Sequence, residues 1–154
     1  MIRLFKPDLA ALSFRQKLLA DPETMAYNRA WGGTIDFSPE RWQGFFARWI
    51  DPGEPDRFFR YLYDDRCGPV GEVSYHRREE DGLFLCDVLV LSAYRGRGYG
   101  RAGLRLLCDA ARQNGVSVLT DEIAADNPSA ALFLSAGFRE VARTDTVIRV
   151  SKTL

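Results

Sequence analysis

The sequence has few of the residues that mark secreted, membrane or nucleic-acid-binding proteins. Only three of its 154 residues are cysteines, an odd number without metal-ligand spacing, so neither a disulfide framework nor a metal site is expected. No long apolar run is present, which indicates neither a signal peptide nor a membrane span. Acidic and basic residues number 21 each, so no excess charge attracts the chain to nucleic acid or to an acidic membrane. We therefore expect a cytoplasmic protein with reduced thiols.

The composition is that of an ordinary globular protein. Hydrophobic residues make up 46% of the chain and charged residues 27%, which is enough apolar material for a substantial core. A chain of this length is the size of one compact domain, and no repeat, linker or low-complexity segment divides it. We expect residues 1–154 to form a single domain. Any anion-binding site must then be a local concentration of positive groups.

Hydrophobic periodicity predicts alternating helices and strands. The predicted strands are 2–5, 57–65, 70–78, 83–91, 116–123 and a final hairpin formed by "FREVAR" and "TVIRVS". The predicted helices are 8–20, 21–33, 38–50, 98–113 and 127–137. The path from strand 83–91 through helix 98–113 to strand 116–123 is a parallel crossover, whereas the earlier strands are joined by hairpins. The order predicts a mixed sheet that is mostly antiparallel.

A glycine-rich loop, "YRGRGYGRAG" at residues 94–103, lies between the predicted strand 83–91 and helix 98–113. Residues 98–103 spell GxGxxG, the pattern of dinucleotide-binding loops, and acidic residues follow about 20 positions later. Six residues nevertheless separate the strand from Gly98, the preceding strands form a meander, and too little chain follows for further parallel units. The GxGxxG spelling is therefore a coincidence.

The same loop is better suited to a pyrophosphate. Gly96, Gly98 and Gly100 allow consecutive backbone N–H groups to turn inward, and the following helix adds its unpaired N–H groups and positive dipole end. Arg97 and Arg101 supply positive charge. The alternative is a flexible basic loop that binds nothing, which the order of strand, glycine loop and helix disfavours.

Two segments resemble the GCN5-related N-acetyltransferases, the GNAT superfamily. "RGRGYG" at 95–100 matches that family's (Gln/Arg)-x-x-Gly-x-(Gly/Ala) motif, and "DNPSAALFLSAGF" is similar to its second hallmark, an Asn followed by a short helix ending in Gly-Phe. The resemblance covers roughly residues 57–150, the acetyl-CoA-binding core, while 8–56 corresponds to variable helices that shape the acceptor site. It implies an α/β (α+β) fold with six to seven strands, splayed at the centre and flanked by about four helices.

The resemblance also implies an acetyl-CoA-dependent N-acetyltransferase acting on a primary amine of a small molecule or peptide. The backbone of 89–91 would pair with the pantetheine arm, an N–H near Val90 would hold the thioester oxygen, and the amides of 96–100 would take the pyrophosphate. Asn127 would bond the pantetheine, although an N-cap role is equally consistent with Asn-Pro-Ser. The implied coenzyme contacts are Leu89, Val90, Leu91, Arg95, Gly96, Arg97, Gly98, Tyr99, Gly100, Arg101, Asn127 and Phe133.

One position departs from the family pattern. Four residues before Gly137, where the family has a tyrosine that protonates the departing thiolate, this chain has Phe133; on a register shifted by one residue the position is Leu134, which is equally inert. Thiolate departure at neutral pH costs roughly 1.5 kcal/mol, against ~4 kcal/mol for deprotonating an alkylammonium. The missing acid is therefore tolerable, but a non-catalytic acyl-CoA-binding module stays the alternative.

Candidates for the base and for the acceptor pocket come from the strands and the first helices. Asp87 interrupts an apolar strand, so it is either functional or paired, or else faces solvent; Glu72 on the neighbouring strand is the second candidate. Tyr27 and Trp31 in "AYNRAWGG" are placed to contact the acceptor, because aromatic rings attract ammonium groups. Related proteins of this kind are often dimers, so the resemblance also favours a homodimer.

Overall fold

The computed structural model describes all residues, 1–154, as seven strands and four α-helices. The strands are β1 (Ile2–Phe5), β2 (Arg57–Asp64), β3 (Gly68–Arg77), β4 (Phe84–Val90), β5 (Val118–Ala124), β6 (Arg139–Arg143) and β7 (Val147–Thr153). The α-helices are α1 (Leu12–Ala20), α2 (Trp42–Trp49), α3 (Tyr99–Gln113) and α4 (Ser129–Ser135). Three 3-10 helices occupy Thr24–Trp31, Pro39–Arg41 and Ser92–Tyr94, and we call the first of these the wall segment.

All seven strands form one sheet in the order β1-β2-β3-β4-β5-β7-β6. Every neighbouring pair is antiparallel except β4 and β5, which α3 connects as a parallel crossover. These two strands are paired only at Leu85 and Thr120, near their amino ends, whereas β3 and β4 are paired along the whole length of β4. The two strands therefore separate toward their carboxyl ends. The predicted mixed, mostly antiparallel sheet with a central splay is confirmed.

Helices cover both faces of the sheet, and each face has its own core. The face under α3 and α4 buries 14 residues, among them Val73, Leu104, Leu107, Leu119 and Phe133. The opposite face, under α1, α2 and the wall segment, buries 10 residues, among them Leu12, Met25, Phe59, Tyr61 and Leu89. Both clusters consist of the apolar positions of strands and amphipathic helices, as expected when a sheet is covered on both sides.

Glycines in the left-handed conformation lie at several helix boundaries. Gly98 has φ +85° immediately before α3, and Gly115 has φ +85° directly after Asn114, the C-cap of that helix. Residues with a Cβ rarely adopt this conformation. The wall segment likewise ends at Gly32, with φ +106°. The aromatic residues of α2, which the spacing suggests are mostly core, are only partly buried against the second cluster. No helix in the chain combines the length and apolar character needed to cross a membrane.

Candidate functional site

A cavity of about 1280 Å³ opens where β4 and β5 separate. Residues of both strands form its floor, the loop at 94–100 and the start of α4 form its ends, and the wall segment borders its mouth. A gap in a sheet exposes main-chain groups that would otherwise be paired, so the cavity has a polar backbone edge inside apolar walls. About half of the residues that line the cavity are hydrophobic, which suits a long ligand with both apolar and polar parts.

The glycine loop presents a row of unpaired donors to this cavity. The N–H groups of residues 96–101 donate to no acceptor within the protein, and the first bond of α3 is from Ala102 N–H to the Gly98 carbonyl. Gly96 and Gly98 have φ of +77° and +85°, and neither would crowd a neighbour if it carried a Cβ. Their role is therefore conformational: they turn the loop so that several amides and the helix dipole meet at one place.

The backbone of β4 offers one particular residue to the gap. The Leu91 N–H donates to the Val70 carbonyl at 2.9 Å, which directs Leu91 toward β3. Because successive residues of a strand direct their N–H and C=O groups to opposite edges, Leu89 also faces β3, and Val88 and Val90 face the gap. Of the three predicted positions 89–91, Val90 is therefore the one whose backbone is directed into the cavity, and Val88 is a position that the sequence did not suggest.

The predicted arginines are not all directed to the cavity. The Arg95 guanidinium donates to the carbonyls of Glu23 and Thr24, at 3.3 and 2.9 Å. The Arg97 guanidinium lies over the Tyr94 ring, 5.6 Å from its centroid. Arg97 and Arg101 are exposed and do not line the cavity. The backbone amides, rather than the arginine side chains, are thus the groups already oriented for an anion.

Tyr99 and Asn127 both hold the protein's own backbone and side chains in place. The Tyr99 hydroxyl donates to the buried Asp64 carboxylate at 2.6 Å, so the ring anchors the start of α3 and is not free to contact a ligand through its hydroxyl. The Asn127 side-chain oxygen accepts the Ser129 N–H at 3.0 Å, which is the capping role foreseen as one alternative. Both residues also line the cavity, so a ligand contact stays a prediction for each.

Phe133 lies where α4 meets the cavity. It is 3% exposed, packs edge to face against Phe138 with ring centroids 5.0 Å apart, and lines the cavity. Leu134 is 49% exposed and does not line it. Of the two registers considered from the sequence, the one with Phe133 at the site therefore fits the structure. This position has no proton to donate.

Three carboxyl groups lie near one another at the splay. Asp87 and Asp121 line the cavity, whereas Glu72 is 6% exposed and lies behind it, with its Oε2 3.2 Å from the Nε of Arg15. Desolvation raises the pKa of all three groups, that of Glu72 to about 7. The negative charge of Asp87 adds to the increase in the pKa of Glu72 and of Asp121. The three carboxyl groups therefore titrate as a coupled set in which each ionised group opposes ionisation of its neighbours.

Asp87 differs from Glu72 in its access to solvent. It is open to the cavity, although protein surrounds its carboxyl group on most sides, and it has no ion-pair partner. The Arg15 charge lowers the pKa of Asp87 without cancelling the effect of desolvation. A carboxylate that is accessible, unpaired and of raised pKa is suited to accept a proton from a ligand.

The two aromatic residues predicted to contact the acceptor line the same cavity as this carboxylate. Tyr27 and Trp31, 41% and 71% exposed, both line the cavity from the wall segment. Desolvation raises the pKa of the Tyr27 hydroxyl, and the charges of Asp87 and Glu72 raise it further, which places Tyr27 near both groups. Glu122 is not available to an acceptor, because Arg78 and Arg149 both pair with it.

Arg15 is the main residue that sequence reasoning missed. Its guanidinium is partly buried beside Glu72 and lies over the rings of Phe37 and Phe45, at 4.8 and 4.3 Å from their centroids. Nothing in the local sequence of α1 distinguishes it from an ordinary surface arginine. The only available signal was an indirect one, since a buried Glu72 requires a cation from another element.

Comparisons with known proteins agree with this geometry. The family model for the acetyltransferase (GNAT) family matches residues 17–138. Among solved structures, spermidine N-acetyltransferase from Vibrio cholerae, in complex with CoA and spermine, is 16% identical with a TM-score of 0.81, covering 99% of this chain and 95% of that one. No curated protein matches the chain in sequence.

Two further structures are similar over the whole chain. Ribosomal-protein-alanine N-acetyltransferase from Brucella melitensis is 27% identical with a TM-score of 0.74, covering 100% of this chain and 99% of that one. An acetyltransferase (GNAT family) from Bacillus anthracis is 12% identical with a TM-score of 0.75, covering 99% and 94%. The family match extends over most of the chain, and it includes the glycine loop and the gap between β4 and β5. The chain belongs to the GNAT family of acetyltransferases and is an acetyl-CoA-dependent N-acetyltransferase.

Proposed function

We propose that the protein transfers an acetyl group directly from acetyl-CoA to a primary amine of a small molecule or peptide, with both substrates bound at once. The observation that carries this proposal is that one cavity joins a row of free loop amides to an unpaired carboxylate, Asp87, across the open edge of β4. Direct transfer needs both reactants in one cleft, and this cavity is large enough to hold them.

The main chain would bind the coenzyme. The N–H groups of 96–101 donate to the diphosphate, and the gap-facing groups of Val88 and Val90 bond the pantetheine arm. The Val90 N–H donates to the thioester oxygen as negative charge develops there, which is oxyanion stabilisation. Arg97 and Arg101 contribute positive charge near the loop, and Asn127, Tyr99 and Phe133 form the wall of the channel.

Asp87 would accept the proton of the attacking ammonium, directly or through a water molecule. The neutral amine then attacks the thioester carbon, the C–S bond breaks, and the thiolate leaves with its electron pair. The nitrogen, now cationic, releases its second proton to the departing thiolate through solvent. Removing the ammonium proton is the larger energetic demand, because a free alkylammonium has a pKa near 10.4 while a thiol has one near 8.5. The reaction therefore depends more on a base for the ammonium than on an acid for the thiolate, and Phe133 lacks only the acid. Glu72, buried against Arg15, would influence the pKa of Asp87 through its charge and would not touch the substrate.

Residues 8–56 would shape the acceptor side, with Tyr27 and Trp31 facing the amine. Two similar enzymes act on spermidine and on a ribosomal-protein alanine, which are an aliphatic polyamine and a peptide amine. Exposed aromatic rings beside carboxylates are suited to an ammonium-bearing ligand of either kind. We propose the same broad acceptor class here, a primary amine flanked by apolar or cationic groups.

Thiol release from acetyl-CoA tests this function directly. The panel should contain polyamines, amino acids, aminoglycosides and peptides with free N-termini. We expect at least one acceptor class to stimulate release, and Asp87→Asn to remove the stimulation while CoA binding, measured by calorimetry, is kept. No stimulated release from any acceptor, together with tight CoA binding, would instead support a non-catalytic acyl-CoA-binding module.

The proposal also covers the cellular compartment and the oligomeric state of the protein. We propose a cytoplasmic protein, supported by three free cysteines, two of which are buried. A homodimer is the assembly proposed from family resemblance. Native mass spectrometry at micromolar concentration tests it, and a purely monomeric spectrum would contradict it.

A further inference from the structure

We propose that a clamp formed by Asp21, Thr24, Ser92 and Arg95 couples coenzyme binding in the glycine loop to the position of the acceptor wall. This inference rests on the proposed function, since it takes the loop as the diphosphate site and the wall segment as the acceptor side. Asp21, Thr24 and Ser92 do not line the cavity, and Arg95, which does, has its guanidinium bonded to the wall segment and the residue before it. The four are therefore positioning residues. Their effect is that a bound coenzyme steadies Tyr27 and Trp31, so that the acceptor binds best after the coenzyme.

The centre of the clamp is a network of hydrogen bonds between distant parts of the chain. Ser92 Oγ donates to Asp21 Oδ2 at 2.6 Å, and the Ser92 N–H donates to Thr24 Oγ1 at 2.8 Å. The Thr24 hydroxyl in turn donates to the same Asp21 oxygen, and the Thr24 N–H donates to it at 3.2 Å. Ser92 is thus bonded to both Thr24 and Asp21, and these two residues are bonded to each other, so the two segments cannot separate without breaking more than one hydrogen bond.

Arg95 closes the clamp from the loop side. Its guanidinium donates to the carbonyls of Glu23 and Thr24, and it immediately precedes Gly96. A motion of the glycine loop is thus transmitted through Arg95 to the first turn of the wall segment. The same contact explains why this arginine, although next to the loop, has its side chain engaged elsewhere.

Burial makes the connection stiff. Thr24 is 0% exposed and Met25 1% exposed, so water does not compete for the hydrogen bonds of Thr24 while the clamp is closed. Hydrogen bonds from Ser92 and Thr24 lower the pKa of Asp21, which therefore remains charged at neutral pH. The remainder of the segment carries Tyr27 and, at its end, Trp31, which are exposed and line the cavity. One end of the wall segment is thus fixed to the loop, and the other end faces the acceptor.

The glycine loop is the part of this connection that a coenzyme can order. Its amides at 96–101 have no acceptor in the protein, and a Cβ at Gly96 or Gly98 would meet no other atom within 4 Å, so little packs against this stretch of backbone. Binding that fills those amides reduces the motion of the loop and, through the clamp, of the wall segment. Without the clamp the two segments would respond to the coenzyme independently.

Hydrogen–deuterium exchange with CoA as the probe tests the coupling and needs no acceptor. In the native protein we expect saturating CoA to slow amide exchange at least fivefold in both 96–103 and 24–31. In Thr24→Val, CoA should still slow exchange in 96–103 but no longer in 24–31. Thr24→Ser, which keeps the hydroxyl, should restore the response, and Ser92→Ala should weaken it in case the valine variant does not fold.

Asn114→Ala is the matched control, because it removes a partly buried hydrogen bond, from Asn114 to the Tyr75 hydroxyl, far from the clamp. It should leave both responses to CoA unchanged. The inference is overturned if CoA protects 96–103 alone in the native protein, or if protection of 24–31 persists in Thr24→Val. Absence of protection at 96–103 would overturn the proposed coenzyme site itself, and the coupling with it.

Discussion

The Nε of Arg15 lies 3.2 Å from the Oε2 of Glu72, directly behind the cavity and almost out of contact with solvent. The two atoms lack hydrogen-bond geometry, and each is otherwise unpartnered. Such a pair gains less than it would from an aligned bond, because both groups lose their hydration. Desolvation therefore raises the pKa of Glu72 to about 7 although Arg15 opposes the change. The state of this carboxyl group depends on pH in the physiological range.

Glu72→Gln should change how stability depends on pH. The folded protein binds the Glu72 proton more tightly than the unfolded chain, whose ordinary pKa is 4.5. The stabilisation from that proton is complete below pH 4.5 and is lost as the pH rises through about 7. Between pH 5 and pH 8 the native protein should lose on the order of 3 kcal/mol relative to the glutamine variant. Urea unfolding at both pH values measures this difference, and parallel pH profiles for the two proteins would show that the raised pKa is wrong.

Asp87→Asn should remove most of the activity. The asparagine is similar in size but cannot accept a proton from the ammonium, so kcat should fall roughly 10²- to 10⁴-fold, the range expected for a lost general base. Because the base must be ionised and burial raises its pKa, the native rate should fall with decreasing pH at a value above that of an ordinary aspartate. Steady-state kinetics from pH 5 to 9 measure both effects.

Asp109→Asn is the control for the aspartate variant. Asp109 lies on α3, is paired with Arg112, and is remote from the cavity lining. Its substitution should leave kcat within twofold of the native value. If Asp87→Asn retained more than a tenth of the native kcat with an unchanged pH profile, another group would have to be the base.

Gly98→Ala should weaken CoA binding, whereas Gly115→Ala should not. The two glycines share φ +85° and the same open surroundings, so each alanine should destabilise the protein by about 1 kcal/mol through backbone strain alone. Only Gly98 lies in the loop whose amides are proposed to bind the diphosphate. Calorimetry should show at least a tenfold higher Kd for Gly98→Ala, and equal affinities for both variants would contradict a role of the loop amides.

Gly71→Ala should displace β4 and thereby disturb both the stability of the sheet and the coenzyme site. A Cβ on Gly71 would lie 2.3 Å from the Leu89 carbonyl oxygen, a backbone contact that only a shift of β4 can relieve. We expect a loss of more than about 2 kcal/mol of stability, as for other overpacked core positions, and weaker CoA binding because Val90 moves. Gly44→Ala, in exposed helix α2 with nothing within 4 Å, should instead stabilise the protein slightly. Thermal unfolding of both variants gives the comparison, and a native melting temperature for Gly71→Ala would contradict it.

Sequence patterns predicted those features of the candidate site that depend on residues close together in the chain. A strand, a loop of alternating glycines and an amphipathic helix follow one another without interruption, so the position of 96–101 and the crossover to β5 could be inferred from pattern alone. Asp87 was identifiable because a charge interrupts an apolar strand. The helix boundaries at Gly98 and Gly115 follow from the conformations that glycine permits.

Features that depend on distant segments were not predictable. Arg15 meets Glu72 from an element 57 positions earlier in the chain, and Arg95 bonds carbonyls 71 or 72 positions away. The resemblance implied that the backbone of all three residues 89–91 pairs with the pantetheine arm, whereas the pairing of Leu91 with Val70 decides which of these backbone groups face the gap. Such outcomes depend on the register between strands and on the packing of helices over them, and no local pattern encodes either.

We propose that the amides of 96–101 and the edge of β4 together bind acetyl-CoA. A crystal structure of the complex with acetyl-CoA tests it most directly. We expect the diphosphate oxygens to accept hydrogen bonds from several of those amides and the thioester oxygen to accept the Val90 N–H, with Asp87 facing the acetyl group. A diphosphate bound elsewhere, with the loop amides directed to solvent, would contradict the account.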